Sequence, residues 1–155
     1  MARPSVVVSD AATGAIRTFD TVHAAFKLTA EGHVRHISAT ADARINFVPI
    51  DHVAAGIVAL AGDMTTARSR TYPLVFLQPV PVATFAAAIG SYQQFEALTL
   101  VPPDRFDTNA LPPLEGRLCA RVTGLYSSHF QRNPQFDDAR FRALPGLACP
   151  PPGMA

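Results

Sequence analysis

Short apolar runs rich in β-branched residues alternate with helical patterns along this chain, and this alternation restricts the fold more than any other feature. The run from Ser5 to Val8 predicts a buried strand, and the run from Tyr72 to Leu77 predicts another. Residues 45–50 suggest a further extended segment. Strands that alternate with helices indicate an α/β class, in which helices cover a mainly parallel sheet.

Helices are predicted wherever apolar residues recur at spacings of three and four. The first covers residues 19–28 and stops at Gly32, and others cover residues 82–92, residues 114–130 and a short stretch after Asp137 or Asp138. One more begins at Asp51, whose carboxylate is expected to accept from the free N–H groups of the first turn. Its buried stripe is predicted to comprise Val53, Ala54, Ile57, Val58, Leu60 and Ala61.

Length and composition fit one domain with its own core. The chain has 155 residues, of which 48% are hydrophobic. A domain of this size buries roughly 70% of the surface of its unfolded chain. We therefore predict a single domain over residues 1–155, with a proline-rich tail at residues 147–155.

The charge pattern argues against nucleic acid as a partner. The formal net charge is +1, and only one of the 13 basic residues, Lys27, is a lysine.

No apolar run reaches the ~18 residues of a membrane span, and no apolar stretch of signal-peptide length follows Met1. A cytoplasmic location is therefore the expectation. In that compartment Cys119 and Cys149 are expected to be reduced, although a disulfide between them is the open alternative.

The sequence lacks the patterns of several common chemistries. No two glycines are separated by a single residue, so there is no glycine-rich loop to approach a pyrophosphate. No tyrosine has a lysine four residues later, so there is no Tyr-x-x-x-Lys pair for hydride chemistry. His33 and His36 would lie on opposite faces of a strand, and no acidic or cysteine cluster joins them. We predict no catalytic residue and no metal site.

Three ordered segments carry a family resemblance. They are Arg3-Pro4-Ser5-Val6-Val7-Val8-Ser9-Asp10 with Thr13-Gly14, then Asn46-Phe47-Val48-Pro49-Ile50-Asp51-His52-Val53-Ala54, then Arg70-Thr71-Tyr72-Pro73-Leu74-Val75. Together they resemble the C-terminal, substrate-side half of an extended short-chain dehydrogenase/reductase, in the thioester-reductase and fatty-acyl-reductase branch, with the NAD-dependent epimerases sharing the outline. The resemblance weakens after about residue 95, and family members usually have glycine where this chain has Ser9.

The resemblance implies the last strands of a Rossmann-type sheet, with a small substrate-binding α/β region attached. It implies NADP or NAD as cofactor, with Pro4 and Ser5 beside the nicotinamide. It also implies that Val8, Ser9, Phe19 and Phe26 face a small-molecule substrate. Because the glycine-rich loop and the catalytic pair would lie upstream, we expect this chain alone neither to bind the nucleotide nor to catalyse the reaction.

Two kinds of function therefore remain open. The chain is either the substrate-binding half of an NAD(P)H-dependent oxidoreductase, or a non-catalytic binding module or truncated remnant of such an enzyme. The strand at Ser5 to Val8 would lack one sheet neighbour, and an unguarded apolar strand edge invites pairing with another chain. We expect either a complex with an N-terminal Rossmann half or self-association through that edge.

Overall fold

Short strands and helices alternate through residues 1–17 and 21–144, which the computed structural model describes. The strands are β1 (Ala2–Pro4), β2 (Val6–Val8), β3 (His36–Ser38), β4 (Arg44–Ile45), β5 (Phe47–Pro49), β6 (Tyr72–Leu74), β7 (Val80–Pro81) and β8 (Thr99–Val101). The helices are α1 (Thr21–Ala30), α2 (Ile50–Gly62), α3 (Met64–Ala67), α4 (Val82–Gly90), α5 (Pro113–Arg132) and α6 (Ala139–Arg142). The predicted α/β class is confirmed, and three of the four strand pairs are parallel.

The chain divides into two compact units. The first comprises Met1–Arg17, Asn46–Pro79 and Gln135–Ala155, and the second comprises Thr18–Ile45 and Val80–Pro134. The proposal of one domain over residues 1–155 stays a prediction. The proline-rich tail predicted at residues 147–155 lies outside the described residues.

The first unit is built on two parallel strand pairs. β1 pairs with β6, β2 pairs with β5, and α2 packs against β1, β2 and β5. The core cluster of this unit contains Val48, Val53, Leu60, Tyr72, Leu74 and Phe141. Phe141 comes from the short helix α6, and its side chain is 1% exposed. A helix of only one turn therefore contributes a fully buried aromatic ring to the core of this unit.

The second unit combines a parallel pair with an antiparallel one. β3 runs parallel to β8, and β4 runs antiparallel to β7. The buried apolar residues of this unit include Val34, Ile37, Ile45, Val82, Leu98, Cys119, Val122 and Phe130. Gly32 follows the end of α1 and has a φ of +72°, a conformation that favours glycine. This agrees with its prediction as the stop signal of the helix. Observed α4 and α5 differ from their predicted ranges by at most two residues at either end.

Helix α2 differs from its prediction in the face that it buries. The buried residues are His52, Val53, Gly56 and Leu60. Ala54, Ile57, Val58 and Ala61 are exposed, so the prediction that they are buried is wrong. The physical reason is that nearly every position of this helix is apolar, so that periodicity does not single out one face. Contact with Phe141 selects the face that carries Gly56, where a side chain would not fit.

The start of α2 also differs from its prediction. Its N-cap is Pro49, which makes no side-chain capping bond. Asp51 lies in the first turn, and its Oδ1 accepts from the backbone N–H of Ala11 at 3.1 Å. Asp51 therefore stabilises the loop after β2 and does not cap its own helix.

We predict that Gly56→Ala destabilises the protein and that Gly62→Ala does not. A Cβ at position 56 would lie 2.7 Å from Cζ and 2.9 Å from Cε2 of the buried Phe141 ring, whereas a Cβ at position 62 meets no atom within 4 Å. Overpacking costs about 1–3 kcal/mol, and glycine to alanine in an open helix position gains up to about 1 kcal/mol. Urea denaturation measures both free energies of unfolding. Equal stability of the two variants would contradict this packing.

Candidate functional site

The strands of the first unit all run in the same direction, so their carboxyl ends lie at one edge, with β6 ending opposite Pro4 and β5 ending opposite Val8. Because β1 is parallel to β6 and β2 is parallel to β5, the residues that follow each strand lie at the same end of their pair. Ser9 follows β2, Ile50 follows β5 and Val75 follows β6. In open α/β sheets, ligands bind in crevices outside the carboxyl ends of the strands. This edge is therefore the candidate site.

Residues 2–8 change their strand partner at Ser5. Up to that point they pair with β6, and the last bond of that ladder runs from Ser5 N–H to the Leu74 carbonyl at 3.1 Å. Immediately afterwards, Val6 N–H donates to the Asn46 carbonyl at 3.1 Å, and pairing continues with β5. Because successive N–H groups of an extended segment point to opposite sides, β6 and β5 flank this segment on opposite sides, and beyond Ser5 it separates from the residues that follow β6.

The side chain of Asn46 fills this separation. Its Nδ2 donates to the Phe76 carbonyl at 2.7 Å, and its Oδ1 accepts from the Phe76 N–H at 2.8 Å. In a continuing parallel ladder, residues of the β1–β2 segment would bond these two groups of Phe76. A single amide replaces them, and Asn46 is 3% exposed. The strand predicted over residues 72–77 therefore ends at Leu74.

Ser5 is held by the same residue. Its Oγ donates to the Asn46 carbonyl at 2.8 Å, and the side chain is half-buried. The hydroxyl proton is thus committed, so Ser5 can only accept a hydrogen bond from a ligand. Pro4, which precedes it in β1, is exposed. The roles predicted for Pro4 and Ser5 at a nicotinamide stay predictions. Both residues lie where the segment changes its strand partner.

The loop after β2 is shaped by Asp10, which the sequence reasoning did not single out. Asp10 Oδ1 accepts from the Ala12 N–H, the Thr13 N–H and the Thr13 hydroxyl at 3.1, 2.9 and 2.8 Å. These bonds, with the Thr13 hydroxyl first, hold the pKa of Asp10 below its usual value. The short spacing Asp10-x-x-Thr13-Gly14 is the sequence signal for this side-chain turn.

Val8 and Ser9 lie between this loop and Ser5, the point at which the segment changes its strand partner. Both are half-buried. Asp51 holds the far side of the loop through Ala11, so the backbone around Ser9 is fixed at both ends. Their predicted contact with substrate stays a prediction. Of the two predicted phenylalanines, Phe19 lies outside the described residues, and Phe26 belongs to the second unit, where its ring is 4.8 Å from that of Phe85.

His52 is a buried histidine beside this edge. It is 6% exposed, its ring meets the Phe141 ring edge-on at 5.5 Å, and its Nε2 has no hydrogen-bond partner. Burial lowers the pKa of His52, and the neighbouring Asp51 carboxylate only partly opposes that effect. His52 is therefore neutral near pH 7 and contributes to the core of this unit.

A second polar cluster lies in the second unit, at the first turn of α5. Glu115 Oε1 accepts from the Arg35 N–H at 2.9 Å and lies 2.9 Å from Nδ1 of His36. Burial raises the pKa of Glu115, but the hydrogen bonds from His36 and Arg35 outweigh it, and the net shift is downward. The cluster ties α5 to β3. It is a structural connection that the spacing of the residues did not predict.

Cys119 completes this connection without being reactive. Its thiol donates to the His36 carbonyl at 3.2 Å, and burial raises its pKa to about 11. A thiol that stays protonated at neutral pH is not a nucleophile. Cys119 is free, and Cys149 lies outside the described residues. Among the residues that the structure describes, no group of three or more His, Cys, Asp or Glu side chains is placed to hold a metal.

The sequence comparisons cover only part of the chain. Residues 1–57 match an NAD-binding family whose description is "Male sterility protein". These residues include β1, β2, Asn46 and the start of α2. A search of curated proteins gives no significant match.

Two solved structures match this chain over nearly its whole length. The terminal R domain from the myxalamid PKS-NRPS biosynthetic pathway matches with a TM-score of 0.66 at 22% identity, over 97% of this chain and 39% of that one. A conserved protein of unknown function from Silicibacter pomeroyi DSS matches with a TM-score of 0.53 at 17% identity, over 98% of this chain and 43% of that one. The predicted resemblance is confirmed. The fold is similar to part of each of these two structures, and the chain spans about two fifths of their length.

Among the described residues, no helix is both long and apolar enough to cross a membrane. The cytoplasmic location stays an expectation.

We predict that Asn46→Asp destabilises the protein near neutral pH and recovers stability in acid. The variant carboxylate keeps an acceptor for the Phe76 N–H but has no donor for the Phe76 carbonyl, and it buries a charge. The expected loss is roughly 2–4 kcal/mol. Burial raises the folded-state pKa of the new carboxyl, so the penalty is full above that value. It disappears as the pH falls below the unfolded value of about 4, where both states are protonated.

The measurement is the difference in urea stability between variant and wild type at each pH. Asn109→Asp is the matched control, because Asn109 is exposed and its side chain bonds only Asp107, two residues away. Its difference from wild type should stay within about 1 kcal/mol. A pH-independent loss in Asn46→Asp, or a loss no larger than the control's, would refute the role assigned to Asn46.

Proposed function

We propose that this chain is the substrate-side part of an NAD(P)H-dependent reductase that acts on an acyl thioester or an aldehyde. The observation that carries the proposal is the change of strand partner at Ser5. There Asn46 replaces the β6 ladder, at the carboxyl edge of parallel strands and beside residues 4–9. Fold likeness to part of a reductase domain supports it, and so does the match of residues 1–57 to an NAD-binding family.

The chain's own residues do not fit the phosphates of a dinucleotide. A pyrophosphate needs closely spaced glycines ahead of a helix N-terminus. Here the helix at the candidate edge, α2, is entered through Pro49, and the sequence holds no glycine pair with that spacing. In this proposal the phosphate contacts and the catalytic Tyr-x-x-x-Lys pair come from residues outside this sequence, and this chain shapes the substrate side.

Within that division of roles, the residues at the end of β2 decide substrate size. Val8, the last residue of β2, and Ser9, which follows it, are half-buried, and the loop beyond them is fixed by Asp10 and Asp51. A small polar residue and a branched apolar one leave room for an acyl chain at this edge. The Ser5 hydroxyl, whose proton is already donated to Asn46, provides an acceptor toward the cofactor side.

The test is NADPH oxidation by the chain co-expressed with the coding sequence directly upstream, using an acyl-pantetheine thioester and a medium-chain aldehyde as substrates. The chain alone should neither bind NADPH in calorimetry nor oxidise it, whereas the co-expressed pair should turn over. Ser9→Trp should raise KM for the acyl substrate roughly 10-fold or more, with KM for NADPH unchanged. Ser91→Trp, at the exposed end of α4, is the matched control.

Micromolar NADPH binding by the chain alone would contradict the proposal, as would a co-expressed pair with no turnover. The second of these outcomes would favour a non-catalytic binding module or a truncated remnant.

A further inference from the structure

Helix α2 carries an unpartnered apolar face. Ile50, Ala54, Ile57, Val58 and Ala61 recur at spacings that place them on one side of the helix, and we call these five residues the α2 stripe. All five are exposed, Val58 by 71%. The opposite side of the same helix is buried through Val53, Gly56 and Leu60. The stripe contains no charged or polar side chain.

A helix that is apolar on both sides is normally buried on both sides. Each Å² of apolar surface left in water forgoes about 25 cal/mol of stabilisation. Exposed single apolar side chains are common, but five on one helical face form a patch, and patches mark contact sites. Met64, 62% exposed, extends the apolar surface just beyond the end of the helix. The stripe therefore indicates a covering partner.

The same unit has an open strand edge. In both halves of the β1–β2 segment, the described residues provide a ladder on one side only, from β6 for residues 2–4 and from β5 for residues 6–8. The β6 side of residues 6–8 is where the Asn46 amide bonds Phe76, so strand addition is open only along residues 2–4, on the side away from β6, where the described residues provide no strand neighbour. A partner with a free strand and an apolar surface would satisfy both features of this unit.

We propose that the α2 stripe is the docking surface for the nucleotide-binding part of the reductase. This proposal rests on the proposed function. More than half of each of the two similar structures has no counterpart in this chain. α2 already packs on β1, β2 and β5, and a sheet extended past the open edge needs a helical layer that continues past α2. The uncharged stripe fits an apolar helical surface and gives no basis for a nucleic-acid or acidic partner.

The test uses two variants of neighbouring alanines, Ala54→Lys and Ala55→Lys. Both alanines are exposed in the chain, but only Ala54 belongs to the stripe. The same new side chain is introduced in each case at adjacent positions of one helix, so effects on helix propensity are matched. Each variant and the wild type are titrated with the protein encoded directly upstream. Complex formation is measured by sedimentation velocity, and unfolding in urea checks that each variant is folded.

We expect a 1:1 complex for wild type and Ala55→Lys, and binding at least about 10-fold weaker for Ala54→Lys, because an unpaired charge would be buried. Equal binding by both variants would overturn the docking surface while leaving the proposed function intact if NADPH turnover persists. Stripe-dependent binding without turnover would instead support the surface and contradict the proposed function. A dimer of the chain alone that only Ala54→Lys disrupts would identify a second copy as the occupant and overturn the proposal, as would no complex with wild type.

Discussion

The first unit depends on the way in which Asn46 holds three chain segments together. Its carbonyl accepts from Ser5 and Val6, and its side-chain amide bonds both backbone groups of Phe76. Buried backbone groups that lose a ladder partner cost about 1–3 kcal/mol each unless another group replaces it. Asn46 provides that replacement for both backbone groups of Phe76, and so the chain after β6 can separate from the β1–β2 segment beyond Ser5 without leaving these two groups unsatisfied.

The rest of the candidate site follows from this separation. β2 pairs with β5 on the side opposite to β6, and β5 leads directly into α2, whose Asp51 reaches back to the loop after β2. Asp10 closes that loop on itself. Gly56 lets the Phe141 ring pack directly against the buried face of α2. Four of the six positions predicted to face cofactor and substrate, Pro4, Ser5, Val8 and Ser9, thus lie on a segment fixed by hydrogen bonds at Ser5, at Asp10 and at Ala11.

Local patterns predicted the elements but not the contacts between them. α4 and α5 have clear periodicity and proline entries, so their ranges followed from sequence. The strand at Tyr72 was predicted too long, because its end is set by a side chain 30 residues earlier in the chain. The buried stripe of α2 was wrong for a related reason: an almost wholly apolar helix has no periodic minimum, and the choice of face depends on Phe141. Asp51 was assigned to its own helix because a cap is local, whereas its partner Ala11 is 40 residues away.

Amide hydrogen exchange measured by NMR on the wild-type chain tests the central claim most directly. Phe76 lies outside every strand, yet its N–H bonds Asn46 at 2.8 Å in a buried position. Because Asn46 bonds the Phe76 N–H, we expect the Phe76 amide to exchange as slowly as the Ser5 and Val6 amides. The amide of exposed Leu77, one residue later, should exchange rapidly. A Phe76 amide that exchanges as fast as that of Leu77 would show that Asn46 does not hold the strand separation, and would contradict the account.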